Sequence, residues 1–129
     1  MATIEIGADT FESTVEAGEI VLVDFWAEWC GPCRAFGPVF EKASDANPDV
    51  VFGKVDTEAE QGLAAAANIT SIPTLMAFKD GLLVFRQPGA LPAPALDQVI
   101  AAVRELDMVA VRAEVDGAEG SSDSDEQAG

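Results

Sequence analysis

Cys30 and Cys33 are the only cysteines in the chain, with Gly31-Pro32 between them and Trp29 before them. Residues i and i+3 on one helical turn present their Cβ atoms to each other at roughly 5–6 Å, so modest tightening closes a disulfide between them. Two thiols in that relation support thiol–disulfide exchange: one attacks a target disulfide, and the other displaces the target from the mixed disulfide. A purely structural staple explains them poorly, because a bridge across so short a loop removes little entropy from the unfolded chain. A zinc or iron–sulfur site needs about four ligands, and two cysteines in a chain without histidine do not supply them. Two unrelated buried thiols would not require Gly-Pro between them at the start of a helix.

The surrounding elements determine what the pair is worth. Ile20 to Trp26 is a short run rich in Val, Ile and aromatic residues and reads as a strand buried on both faces. Pro32 then opens a helix expected from about Cys33 to Ala46, with Phe36, Val39, Phe40 and Ala43 as its apolar stripe and Pro38 as the place for a kink. The thiols therefore sit where a buried strand passes into a helix N-terminus, whose free N–H groups and dipole favour an anion. That position makes Cys30 the exposed nucleophile of lowered pKa and Cys33, about a turn further in, the shielded resolving thiol.

Upstream, Thr3 to Ile6 suggests an edge strand, and Asp9 with Glu12 three residues on suggests a capping box opening a helix that Gly18 stops. Downstream, Val50 to Val55 reads as a strand parallel to the first buried one, followed by a helix over Gln61 to Asn68. Thr74 to Phe78 and Leu82 to Phe85 flank Lys79-Asp80-Gly81 as an antiparallel hairpin. Leu96, Val99, Ile100, Val103 and Leu106 trace one face of a last amphipathic helix.

With 129 residues and 49% hydrophobic composition the chain suits one domain. Its longest apolar runs fall short of the roughly 20 residues that span a bilayer, and no signal-peptide pattern opens it, so a cytoplasmic location and no membrane association are expected. Seven basic residues against 23 acidic ones give a net charge of −16, which argues against nucleic acid as a partner. The absence of histidine and tyrosine removes the commonest general base and the usual catalytic triads. Residues 113–129 carry six acidic residues and no basic one, and read as a disordered acidic tail after a domain over 1–112.

Two acidic and basic intrusions stand out among the strands. Asp24 interrupts Val21-Leu22-Val23 and Phe25-Trp26, so burial should raise its pKa and suit it to accept the proton of Cys33; pairing with a buried cation is a compatible reading. Lys54 interrupts the parallel strand and is placed to neighbour it. Pro73, before Thr74, taken by itself favours the trans peptide bond.

The segments Asp24-Phe25-Trp26-Ala27-Glu28-Trp29-Cys30-Gly31-Pro32-Cys33, Ser71-Ile72-Pro73-Thr74, Phe78-Lys79-Asp80-Gly81 and Gly89-Ala90 together resemble the thioredoxin family over residues 3 to about 111. The resemblance implies an α/β thioredoxin fold, a central five-stranded mixed sheet of order 1-3-2-4-5 flanked by four α-helices. It implies a cis Pro73 facing the active-site disulfide, against the preference of the residue alone. It also implies that Asp24 is the buried acid and Lys54 its cationic neighbour, and that Trp29, Gly31, Pro32, Ile72, Pro73, Gly89 and Ala90 form the flat apolar surface that receives target polypeptides. Arg34, Thr70 and Pro88 depart from the common pattern, the last two where they bear on target preference.

The activity implied is general protein-disulfide reduction with no bound cofactor or metal, by a monomer whose dithiol is restored by an NADPH-dependent flavoprotein, a thioredoxin reductase. The partners implied are that reductase and disulfide-containing proteins. A disulfide oxidase or isomerase, and a redox-independent binding subunit or holdase, are the alternatives. Gly31-Pro32 argues against the first, and the intact cysteine pair with Asp24 and Lys54 against the second.

Overall fold

The computed structural model describes residues 2–116. In chain order the elements are β1 (Thr3–Glu5), α1 (Phe11–Ala17), β2 (Ile20–Trp26), α2 (Gly31–Ala46), β3 (Val51–Asp56), α3 (Gln61–Ala66), β4 (Thr74–Lys79), β5 (Leu82–Pro88) and α4 (Ala93–Glu105). A further helix, α5, covers residues 108–116. The strands form one sheet in the order β1-β3-β2-β4-β5. β3 runs parallel to β1 and β2, whereas β4 is antiparallel to β2 and to β5.

The uninterrupted apolar run of β2 is explained by its central place between two cores. Ile20 and Leu22 face Phe36, Phe40 and Ala43 of α2 and Leu96, Ile100 and Val103 of α4. Val21, Val23 and Phe25 face Val15 of α1, with Phe11, Leu63 and Ile69 packed against that side. Side chains alternate across a strand, so Asp24 shares the α2/α4 side with Leu22. Gly53 of β3 leaves room for the Ile6 side chain, which a Cβ there would overlap. The hairpin turn places Asp80 at φ 51° and Gly81 at φ 81°, the two positive φ values of a type I′ turn expected of Asp-Gly.

The element order matches the expectation, and the boundaries differ in instructive ways. α1 begins after Thr10, which makes no side-chain capping bond, so the proposed Asp9–Glu12 capping box is not formed. The Thr10 hydroxyl instead accepts from the Gly7 N–H at 3.0 Å, closing the preceding loop. α2 runs unbroken through Pro38 from Gly31 to Ala46. α3 ends two residues early, with Asn68 left-handed at φ 56°. β5 extends to Pro88, because its ladder with β4 continues to the Thr74–Pro88 pair. A helix over 108–116 was not expected, and it crosses the expected boundary after Arg112; most of the acidic segment, residues 117–129, lies outside the described residues.

Candidate active site

β2 ends at Trp26, and four residues later Cys30 occupies the N-cap of α2 with Pro32 in its first turn. The pair is closed as a Cys30–Cys33 disulfide, with Cα atoms 5.2 Å apart. The Cys33 N–H donates to Cys30 Sγ at 3.1 Å, so one of the free donors of the helix N-terminus is already aimed at that sulfur. Cys30 Sγ also lies 3.7 Å from the carbonyl oxygen of Ile72.

The expected contrast between an exposed Cys30 and a shielded Cys33 is not present in this oxidised form. The two residues are 4% and 5% exposed. The two cysteines form one buried cluster with Ala27, and Trp26 and Ile72 pack against that cluster. What distinguishes them is position: Cys30 stands at the cap and lines a groove, and Cys33 points inward from the first turn.

That groove, about 480 Å³, runs along Cys30 between two walls. One wall is Trp29, Gly31 and Pro32; the other is Ala64, Ile69, Thr70, Ser71 and Ile72, with Thr57 between. Trp29 is 66% exposed, the largest aromatic surface next to the disulfide. The turn that carries it is held by Arg34, whose Nε donates to the Glu28 carbonyl at 3.0 Å. Thr57 is anchored by its N–H and hydroxyl to the Trp26 carbonyl at 2.9 and 3.0 Å. Gly31 has open space where a side chain would stand.

Ile72-Pro73 is a cis peptide, as the family resemblance implies and against the trans preference of the residue alone. Pro73 is fully buried, so it is not part of an exposed surface. Its carbonyl accepts from the Gly89 N–H at 2.7 Å. Gly89 and Ala90 are exposed beside it, outside the groove lining. Thr57, Ala64, Ile69, Thr70 and Ser71 line the groove and lie outside the expected substrate surface. Of these, Thr70 carries a signal through its departure from the family pattern, and Ser71 through its place in the Ser71-Ile72-Pro73-Thr74 segment.

Asp24 is fully buried, and among the described residues neither of its carboxyl oxygens has a hydrogen-bond partner. Burial pushes its pKa up to about 7, opposed by the smaller pull of the Lys54 ammonium. Lys54 is the register partner of Asp24 on the parallel strand, as its sequence position suggested. Its amine is held 4.8 Å over the Trp26 ring, a cation–π contact, so it acts on Asp24 through space. Desolvated carboxyl, distant cation and disulfide thus lie at one end of the central strand.

A disulfide across the first turn of a helix, at the carboxyl end of the central strand of this sheet, defines a dithiol–disulfide oxidoreductase. The thioredoxin family profile matches residues 2–102. The chain is 60% identical over 111 residues to the putative thioredoxin 2 of Streptomyces coelicolor, covering 86% of this chain and 83% of that one. It is 40% identical over 95 residues to thioredoxin-1 of Saccharomyces cerevisiae, covering 74% and 91%. Among solved structures, thioredoxin from Plasmodium falciparum matches with a TM-score of 0.71 at 38% identity, covering 78% of this chain and 97% of that one. A variant thioredoxin from Halobacterium salinarum matches with a TM-score of 0.75 at 32% identity, covering 81% and 93%.

The chain belongs to the thioredoxin family. Its activity is protein-disulfide reduction by thiol–disulfide exchange at the Cys30–Cys33 pair. Among the described residues no helix is long and apolar enough to cross a membrane.

Proposed function

We propose that the reduced protein acts in two steps, with Cys30 as the attacking thiolate and Cys33 as the resolving thiol. Cys30 sulfur bonds to one sulfur of the target disulfide and expels the other as a thiolate. Cys33, losing its proton, then bonds to Cys30 sulfur and expels the second target sulfur. The target gains two electrons and the dithiol loses the same two, leaving the disulfide described above. The observation that carries this order is the placing of Cys30 at the N-cap, bordering the groove and receiving the Cys33 N–H.

Asp24 accepts the Cys33 proton in this reading. A carboxyl with a pKa of about 7 is close to balanced between its forms near neutral pH, as a general base should be. Lys54 keeps the ionised form within reach by opposing the desolvation. The groove beside Cys30 receives an extended segment of the target, its backbone pairing with Ile72 as a short strand addition. Trp29, Gly31 and Pro32 flank that segment, Pro73 supports it from below, and Gly89 and Ala90 border it. The dithiol is restored by an NADPH-dependent thioredoxin reductase, so the nicotinamide is used through a partner. The protein works as a cytoplasmic monomer on disulfide-containing proteins.

Cys33→Ser tests the order of attack. The variant should accumulate covalent complexes with target proteins that dithiothreitol releases, and Cys30→Ser should give neither complexes nor turnover. Trapping by Cys30→Ser in place of Cys33→Ser would reverse the two roles.

A further inference from the structure

The end of β5 holds both ends of the segment that forms one wall of the groove. Arg86 Nη1 donates to the Ala67 carbonyl at 2.7 Å, and Nη2 donates to the Asn68 carbonyl. Three residues on, the Gly89 N–H donates to the Pro73 carbonyl at 2.7 Å. Between these two anchors lie Ile69, Thr70, Ser71 and Ile72, which line the groove together with Cys30.

At the first anchor the Ala67, Asn68 and Ile69 N–H groups donate to the Leu63, Ala65 and Ala64 carbonyls at 2.9, 3.0 and 3.0 Å, bonds local to the end of α3, and little ties that end to the rest of the fold. α3 has six residues, none fully buried, and only half-buried Leu63, Ala67 and Ile69 attach this region to the core. The chain then turns through left-handed Asn68, a conformation Asn adopts more readily than most residues. Carbonyls at a helix C-terminus have no partner further along the helix, and a planar guanidinium satisfies two of them with its donors held in a fixed fork, whereas the donors of an ammonium rotate.

We infer that Arg86 is a positioning residue for polypeptide substrates: it fixes the wall 69–72 relative to Cys30 and so sets how tightly the groove grips a target, without touching either sulfur. The inference rests on the groove being the polypeptide site proposed above. A small disulfide that needs only the sulfurs should therefore be indifferent to Arg86.

The test uses the pre-reduced full chain in single turnover against insulin, as a polypeptide disulfide, and against DTNB, as a small one. Arg86→Met should raise the insulin concentration giving half the limiting rate about tenfold, the worth of roughly one charged hydrogen bond. The limiting rate and the DTNB rate should stay unchanged, and Arg86→Lys should recover only part of the loss. Unchanged insulin saturation in Arg86→Met, or an equal loss on DTNB, would overturn the inference.

Thr70→Trp, which fills the groove, separates this failure from that of the groove itself. If it weakens insulin saturation while Arg86→Met does not, only the role of Arg86 falls. If it leaves insulin saturation unaltered, the groove reading falls and the inference with it. Should Arg86→Met not fold, amide exchange in Arg86→Lys decides: faster exchange confined to residues 68–72 supports the inference, and unchanged exchange there overturns it.

Discussion

Asp24 works against the stability of the protein that carries it. Its carboxyl ionises near 3.8 when unfolded and near 7 when folded, so the folded state binds the proton more tightly. The sign follows: the fold loses nothing below pH 4, and loses stability progressively as pH rises through 7. Asp24→Asn should therefore be nearly neutral at pH 4 and stabilising by about 4 kcal/mol at pH 8. Urea unfolding of both proteins across that range checks it, and a difference independent of pH would refute it. The same variant should slow the release of target from the mixed disulfide. At this scale the cysteine pair, the buried acid and its lysine neighbour were legible, because each breaks a local pattern. The matched burial of Cys30 and Cys33 was not, since it depends on Ile72, which lies 42 positions from Cys30, and on closure of the bridge itself. Arg86 was silent for a similar reason: its partners are backbone carbonyls, which every residue type provides.

Among the elements, the end of α4 is fastened more firmly than its sequence suggests. Lys79, buried at the end of β4, donates to the carbonyls of Val103, Arg104 and Leu106 at 2.9, 2.9 and 3.0 Å. Arg104 meanwhile forks onto Asp49, which it holds below the usual carboxylate range, and onto Asn47. Lys79→Met removes the three donors and leaves helix-end carbonyls unpaired in a poorly hydrated place, so it should cost about 3 kcal/mol in denaturant unfolding. Exchange rates of the folded variant should match those of the parent, because the site lies at the other end of β2. Equal unfolding midpoints would show that water replaces the lysine without loss. Element order and type were readable from apolar period and turn residues. The ends were not: β5 outruns its apolar residues because its ladder continues to Pro88, and α1 starts where loop closure by Thr10 lets it, not at the first acidic residue.

For the molecule as a whole, charge is the dominant unbalanced quantity. A net charge of −16 on 129 residues repels itself, so added salt should raise stability until screening is complete. Residues 117–129 contain four acidic residues and no basic one, and deleting them takes the charge to −12. Thermal unfolding of the shortened chain should differ from that of the full chain by less than about 2 °C in physiological salt, with a smaller gain on adding salt. A larger loss would mean that the deleted residues support the fold. The last helix runs past the expected boundary after Arg112 for a physical reason. Met108, Val111 and Val115 are half-buried at helical spacing, and Arg112 donates to the Asp80 carbonyl at 2.7 Å. That contact lies beside the Asp80–Glu19 bond, where β2 begins.

Because α5 lies at the beginning of β2 and the disulfide follows its end, the seven residues of that strand separate them by about 20 Å. A bead, electrode or fusion partner joined after residue 116 would consequently leave the Trp29 face turned toward solution. Attachment there orients the reductive surface outward without engineering, whereas random coupling through lysines would reach Lys42 and Lys54 on other sides of the molecule.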